Sequence, residues 1–498
     1  MSDAVYDEFH AAVREIGMLG SIEQLLEWDS ETYMPPGGLA ARAEQMSLLS
    51  ALAHDRKTSP RLGEWLDRLE SADGDAVRQT NVREMRRVYE RSRRLPTDLV
   101  RRITKASVIA KEAWTRARAA SDFSAFAPNL CELLDLKRQA ADCIGFDDEP
   151  YDALLDEYEP GMTTRQAARV FAELRGPLSE FVGRIAAAPR KPDASIVHRH
   201  FPRQAQEAFA RRVAAAIGFD FKRGRLDVST HPFCSGAHPG DIRLTTRYSE
   251  DFLSPAIFGV LHEAGHGLYE QGQLFRHALT PAGMAVSLGV HESQSRLWEN
   301  FVGRSRPFWE GLYEAARAAF PDALGGVALD EFYGAINAVS PTAIRVEADE
   351  VTYNLHIILR FELEREMMSG RLAVNDVPDA WNAKMKDLLG IVPDNDAQGC
   401  LQDIHWALGA LGYFPTYALG NLMAAQFFAA AKKSIGDLDE RLRRGEFTVL
   451  LDWLRENIHV HGQRYRAEEL VRRVTGQPLG TTAFLDYVRR KFGPIYGL

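Results

Sequence analysis

An otherwise apolar run in this chain carries two imidazoles and a carboxylate, His262-Glu263-Ala264-Gly265-His266. Ser254-Pro255-Ala256-Ile257-Phe258-Gly259-Val260-Leu261 leads into it, and Gly267-Leu268-Tyr269 follows. That leaves little polar surface on the segment. Polar groups buried on such an element need hydrogen-bond partners or a metal, so the fold must supply one or the other. Ser254 suits a helix N-cap and Pro255 the first helical position. On a helix, residues four apart share a face, so both imidazoles can reach one metal ion. Glu263 then points to the side where a bound water would sit. Two ligands and a general base at this spacing form the H-E-x-x-H pattern of zinc peptidases.

A catalytic zinc usually takes a third protein ligand and keeps one position for water. Glu292, in His291-Glu292-Ser293-Gln294-Ser295, is the best candidate, with His291 as its rival. It falls on a second expected helix running through Leu297, Trp298 and Phe301. Gly272, Pro281 and Gly283 between the two helices let the chain turn and cross back. The H-x-x-G-x-x-H continuation that would mark a metzincin is absent.

Helical period recurs through most of the 498 residues. Expected helices include Val5–Leu26, Leu39–Ala53, Ala76–Arg94, Leu99–Ala119, Ala125–Ala141 and Thr164–Ala188. Downstream come Phe308–Ala319, Leu329–Ala338, Glu347–Met368, Val377–Leu389, Ala397–Leu411, Thr416–Ser434 and Phe447–Ile458. Segments 225–230 and 241–248 read as strands flanking a loop at 232–240, which suggests a small antiparallel sheet before the metal helix. With no repeat and no long linker, the simplest organisation is one catalytic unit over residues 1–498.

A net charge of −9 disfavours nucleic acid and offers no basic surface for a membrane. No apolar run reaches the 18 residues of a spanning helix. The acidic start of the chain lacks the apolar core of a secretory signal. Cys131, Cys143, Cys234 and Cys400 form no C-x-x-C pair and read as reduced thiols. The expected compartment is the cytoplasm.

Six motifs in order are more specific. They begin with His231-Pro232-Phe233 and Asp241-Ile242-Arg243-Leu244-Thr245. The metal motif and His291-Glu292-Ser293-Gln294 follow. Ile344-Arg345-Val346-Glu347-Ala348-Asp349 and Gly399-Cys400-Leu401-Gln402-Asp403-Ile404-His405-Trp406 complete the set. With Trp28-Asp29 and Met34-Pro35, they make the chain resemble the carboxypeptidase Taq family of metallocarboxypeptidases over essentially its full length. The resemblance implies a mainly helical, two-lobed fold around a deep groove, similar to neurolysin and angiotensin-converting enzyme. It implies zinc held by His262, His266 and Glu292, with cobalt able to substitute, and Glu263 as the catalytic carboxylate. It further implies a homodimer that removes amino acids one at a time, with broad specificity, from peptides bearing a free C-terminal carboxylate.

Such chemistry needs more groups. An oxyanion forms when water attacks the peptide carbonyl and requires a hydrogen-bonding partner. Tyr417, presented from a helix start by Pro415, is the first choice, with Tyr413 and His405 as alternatives. A free carboxylate is best gripped by an arginine. Arg345 is the main candidate and Arg243 the second, against the plainer reading of a structural ion pair such as Arg345 with Asp349. Gln402 and His405, on an expected helix with Trp406, suit substrate contacts or support. His231 suits the loop before the sheet, and strand 241–245 suits pairing with an extended peptide. The alternatives are a zinc oligopeptidase cutting internal bonds and a silent helical peptide-binding protein, which would have no need of Glu263.

Overall fold

A computed structural model describes residues 2–70 and 74–498. The chain divides into two compact units, each assembled from three stretches. The first comprises Met1–Arg93, Asp193–Ile336 and Ala424–Pro478; the second comprises Arg94–Pro192, Asn337–Met423 and Leu479–Leu498.

Both units are mainly helical, as the sequence period requires. In the first, Ser2–Thr32 pairs with Leu39–Lys57. One face of Ser2–Thr32 places Tyr6, Phe9, Val13 and Ile16 against Leu62, Leu66, Met85 and Tyr89. This is the three-to-four-residue spacing of a core-facing helix stripe. In the second unit, Thr164–Ala187 starts at a capping box: the Thr163 hydroxyl accepts from the Gln166 backbone, and the Gln166 side chain accepts from the Thr163 N–H. That helix packs on Tyr353–Met368, Val377–Leu389 and Thr482–Tyr496. Among the described residues, no helix is long and apolar enough to cross a membrane. All four cysteines carry free thiols.

The small sheet is present but differs from expectation. Its strands are β1 (Gly224–Val228), β2 (Cys234–His238) and β3 (Asp241–Thr246), in the order β1-β3-β2. The expected loop itself holds β2. The chain therefore reverses twice, so β1 and β3 run parallel and only β2–β3 is antiparallel. The central strand β3 is bonded on both sides and cannot accept a peptide strand, contrary to the role expected of 241–245.

Two helical expectations also fail. The Glu347–Met368 period is helical only from Tyr353, because Asp349 accepts from the Val351 and Thr352 backbone and from the Thr352 hydroxyl and turns the chain. Ala397–Leu411 forms a series of turns. Gly409 there takes φ +67°, a left-handed conformation that glycine adopts readily, and the Gln402 amide bonds backbone carbonyls in place of a helix ladder.

Candidate metal centre

The metal helix is Ser254–Gly272, with Leu253 at the N-cap and Pro255 in the first turn, one residue earlier than the sequence suggests. Ala256, Ile257, Val260, Leu261, Ala264 and Leu268 are buried along it. A second helix, Leu288–Arg296, crosses it at Gly265. A Cβ on Gly265 would lie 2.6 Å from the Gln294 carbonyl oxygen and from Ser295 Cα, so only glycine permits this backbone approach. On the neighbouring side, a Cβ on Gly267 would meet Phe219 and Leu244 at 2.8 and 2.9 Å.

This crossing brings His262, His266 and Glu292 together as a group able to hold a metal ion. Glu292 Oε2 lies 3.6 Å from His262 Nε2 and 3.4 Å from His266 Nε2. Zinc bonds of about 2.0–2.1 Å to tetrahedral ligands require donor separations of roughly 3.3–3.4 Å, so the group fits such an ion. Three protein donors leave a fourth position for reactants. His291 is not part of the group; its nitrogens face His266 and Glu270.

The surrounding groups orient these donors. Glu299 Oε2 lies 2.9 Å from His262 Nδ1 and pairs with Arg296 at 3.1 Å. It sits on a π-helical turn, Leu297–Gly303, that extends the second helix. Such turns are frequent at functional sites. Arg296 Nε donates to Glu292 Oε1 at 2.6 Å, and the Ser295 hydroxyl donates to Oε2 at 2.9 Å. Burial alone would raise Glu292, but Arg296 and then His262 hold it well below the usual carboxylate range. Glu299, opposed by burial in the same way, is drawn down to about 2 by Arg296 and His262. His266 is pushed down to about 3 by burial and by His291, so it stays neutral, as a ligand must. Glu263 is buried, and burial raises it to about 7 against the pull of His262. A carboxyl group poised there exchanges protons readily near neutral pH.

The second unit holds a different cluster. Arg345 donates from Nε and Nη2 to Asp403 Oδ1 at 3.0 and 2.7 Å, and from Nη1 to the Tyr353 hydroxyl at 2.8 Å. Arg360, fully buried, donates to Asp403 Oδ2 at 2.7 Å. The ion pair is thus with Asp403, not Asp349. Two guanidiniums share one carboxylate, and the three bonds occupy three of the five N–H donors of Arg345. His405 Nε2 lies 3.3 Å from the Tyr417 hydroxyl, and burial lowers this imidazole to about 4. Tyr417 is the third residue of helix Pro415–Ile435, as the turn at Pro415 suggests. The Tyr413 ring lies 5.3 Å from that of Tyr417 and 5.4 Å from that of His405. Gln402 accepts from the Arg345 backbone N–H and donates to the carbonyls of Ala343, Gln398 and Gly399, so its amide ties two loops together.

Two further candidates lie in the first unit. Arg243 reaches both oxygens of Asp241 at 3.0 Å and stacks 4.1 Å from the Trp28 ring. His231 is exposed in the loop between β1 and β2, where its carbonyl accepts from the Ser229 hydroxyl at 2.6 Å.

Sequence reasoning missed Glu299, Glu270, Arg360 and Asp403 as site residues. Two signals were available. Glu299 is seven residues from Glu292, two helical turns. Arg360 is the lone base in the apolar run Ile357-Ile358-Leu359-Arg360-Phe361.

A helix-borne His-Glu-x-x-His with a glutamate from a crossing helix is the arrangement of a helical metallopeptidase. Residues 8–492 match the family described as carboxypeptidase Taq (M32) metallopeptidase, and the chain belongs to that family. It is 46% identical to thermostable carboxypeptidase 1 of Thermus thermophilus, with 99% of each chain covered. It is 38% identical to carboxypeptidase 1 of Bacillus subtilis over 98% of each. The crystal structure of an M32 carboxypeptidase from Deinococcus radiodurans superposes with a TM-score of 0.97, at 43% identity, covering 99% of this chain and 100% of that one. These relations support a carboxypeptidase and not an oligopeptidase.

Proposed function

We propose that the chain is a zinc carboxypeptidase that releases residues one at a time from the free C-terminus of peptides, with His262, His266 and Glu292 as ligands. The observation that carries this reading is the donor spacing of 3.4 and 3.6 Å around Glu292 Oε2. Zinc, when bound, polarises the attacking water and the scissile carbonyl, and cobalt supplies the same chemistry. Glu263 takes the proton of the attacking water and delivers it to the leaving amine, a task suited to a carboxyl group raised to about 7. Tyr417 donates its hydroxyl to the developing oxyanion, with Tyr413 and His405 as the alternatives.

Arg345 grips the substrate carboxylate. Its support is the charge of its cluster, two guanidiniums on one carboxylate, which favours an added anion. Arg243 is the second choice, since there one guanidinium is balanced by one carboxylate, Asp241, and no charge is left over. Gln402 and His231 act on substrate through the loops they belong to. The reading includes a cytoplasmic homodimer, with the assembly checked by light scattering of the purified protein.

The test is mass spectrometry of unmodified and C-terminally amidated peptides, with and without chelator. A ladder from the free acid alone, abolished by chelator and restored by zinc, is expected. Cleavage of both peptides at internal bonds, or full activity in chelator, overturns the proposal.

A further inference from the structure

His262 and His266 are donors of one type on one helix, yet their far nitrogens are held differently. His262 Nδ1 meets a carboxylate directly, Glu299 at 2.9 Å. His266 Nδ1 meets another imidazole, His291 Nδ1, at 2.5 Å. His291 Nε2 in turn meets Glu270 Oε1 at 2.7 Å. His266, His291 and Glu270 therefore form one chain of hydrogen bonds. Its outer members are firmly seated. The Tyr269 ring lies 5.4 Å from that of His291. Gly236 on β2 leaves room for Glu270, since a Cβ there would lie 2.8 Å from the Glu270 side chain.

The role of a metal ligand sets the order of protons along the chain. An ionised carboxylate only accepts, so His291 must carry its N–H on Nε2. Its Nδ1 faces His266 Nδ1, and a His266 that coordinates through Nε2 carries its proton on Nδ1, so His291 Nδ1 is the acceptor. His266 must donate from Nδ1, which leaves its lone pair on Nε2, the atom 3.4 Å from Glu292 Oε2. That is the tautomer and ring direction a metal ligand needs.

We propose that His291 and Glu270 are positioning residues for His266: His291 holds the His266 tautomer and ring plane, and Glu270 holds those of His291. The proposal rests on the metal reading above. A neutral imidazole passes on less charge than a carboxylate, so His266 gains orientation with less added basicity than His262. The two histidine ligands are unequal by construction.

The experiment titrates zinc into the apo forms of wild type and three variants, in competition with a chromophoric chelator. Thermal melting of each apo form checks the fold. His291→Gln keeps a donor toward Glu270 but has no acceptor where Nδ1 stood. His291→Asn keeps an acceptor there and loses Glu270. Glu270→Gln keeps an acceptor oxygen and loses only charge. His291→Gln should weaken zinc binding by about 10- to 100-fold, the range found when such supporting partners are removed. His291→Asn should bind more tightly than His291→Gln, and Glu270→Gln should lose a few-fold only. The cobalt forms should follow the same order in their visible spectra, with the largest departure from wild type in His291→Gln. If wild type holds one zinc per chain and His291→Gln stays within twofold of it, or His291→Asn is no tighter than His291→Gln, the positioning role is wrong and the metal reading stands. If wild type itself binds no zinc, both fall.

Discussion

The two units each bury a charged cluster, and the clusters lean in opposite directions. Around the metal helix, four carboxylates (Glu263, Glu270, Glu292 and Glu299) share the space with two arginines, Arg296 and Arg304. In the second unit, Arg345 and Arg360 share the single carboxylate of Asp403. Buried charge is costly unless it is compensated. A surplus of one sign in a buried cluster is what an arriving opposite charge would balance: under the function proposed above, a cation in the first unit and an anion in the second.

The largest expected effect tests the acidic side. Glu263→Gln should retain one zinc per chain and lose about 10²- to 10⁴-fold in kcat, because an amide cannot accept the proton. Activity within a few-fold of wild type would remove Glu263 from the reaction. On the cationic side, Asp403→Asn leaves two buried guanidiniums without their carboxylate. It should cost about 3–5 kcal/mol in urea unfolding. This effect has a defined pH dependence. Burial pushes Asp403 up, but Arg345 and Arg360 hold it well below the ordinary range. Its contribution is therefore present above the unfolded value of about 3.9 and lost as pH falls below it. The gap between wild type and Asp403→Asn should stay constant from neutral pH down to about 5 and narrow only below about 4. A gap that widens on acidification contradicts the assignment.

Arg345→Ala should lower kcat/KM for a free-acid peptide by about 10- to 100-fold, the loss of a charge-assisted bond, and shrink the advantage over the amidated peptide. Undiminished discrimination would move the carboxylate grip elsewhere. Smallest of all, Arg243→Ala should change kcat/KM by less than about threefold and stability by no more than about 1 kcal/mol. Its partner Asp241 is a part-exposed carboxylate, and such pairs contribute little. A large kinetic defect in this variant would reverse the order of the two arginines.

The acidic cluster was more legible in the sequence than the cationic one, for a physical reason. His262, Glu263 and His266 lie within one helical turn, and the spacing of a turn is visible in a string of letters. Glu292 needed one further step, a second helix and a turn between. Asp403 and Arg345 are 58 residues apart and meet through loops that the helical period misreads. The residues that spoil the helix at 397–411 are also the ones that build the cluster: Gln402 bonds backbone carbonyls and the Arg345 N–H, and Asp403 faces two arginines. Side-chain bonds to backbone compete with helix formation, and periodicity does not record them. The parallel pairing of β1 with β3 was hidden in the same way, because a five-residue strand with a glycine at its centre, Cys234–His238, read as a loop.

The crossing at Gly265 has a consequence for ionic radius. The helix separation behind His266 and Glu292 is fixed by backbone against backbone, and the side chains close the remaining distance to donor separations of 3.4 and 3.6 Å. Ions that bind at about 2.0–2.1 Å suit those separations, whereas calcium, at about 2.3–2.6 Å and with a preference for oxygen ligands, suits neither them nor the two imidazoles. Part of the fit for a small ion would then start at a residue with no side chain, one that lies outside the donor group.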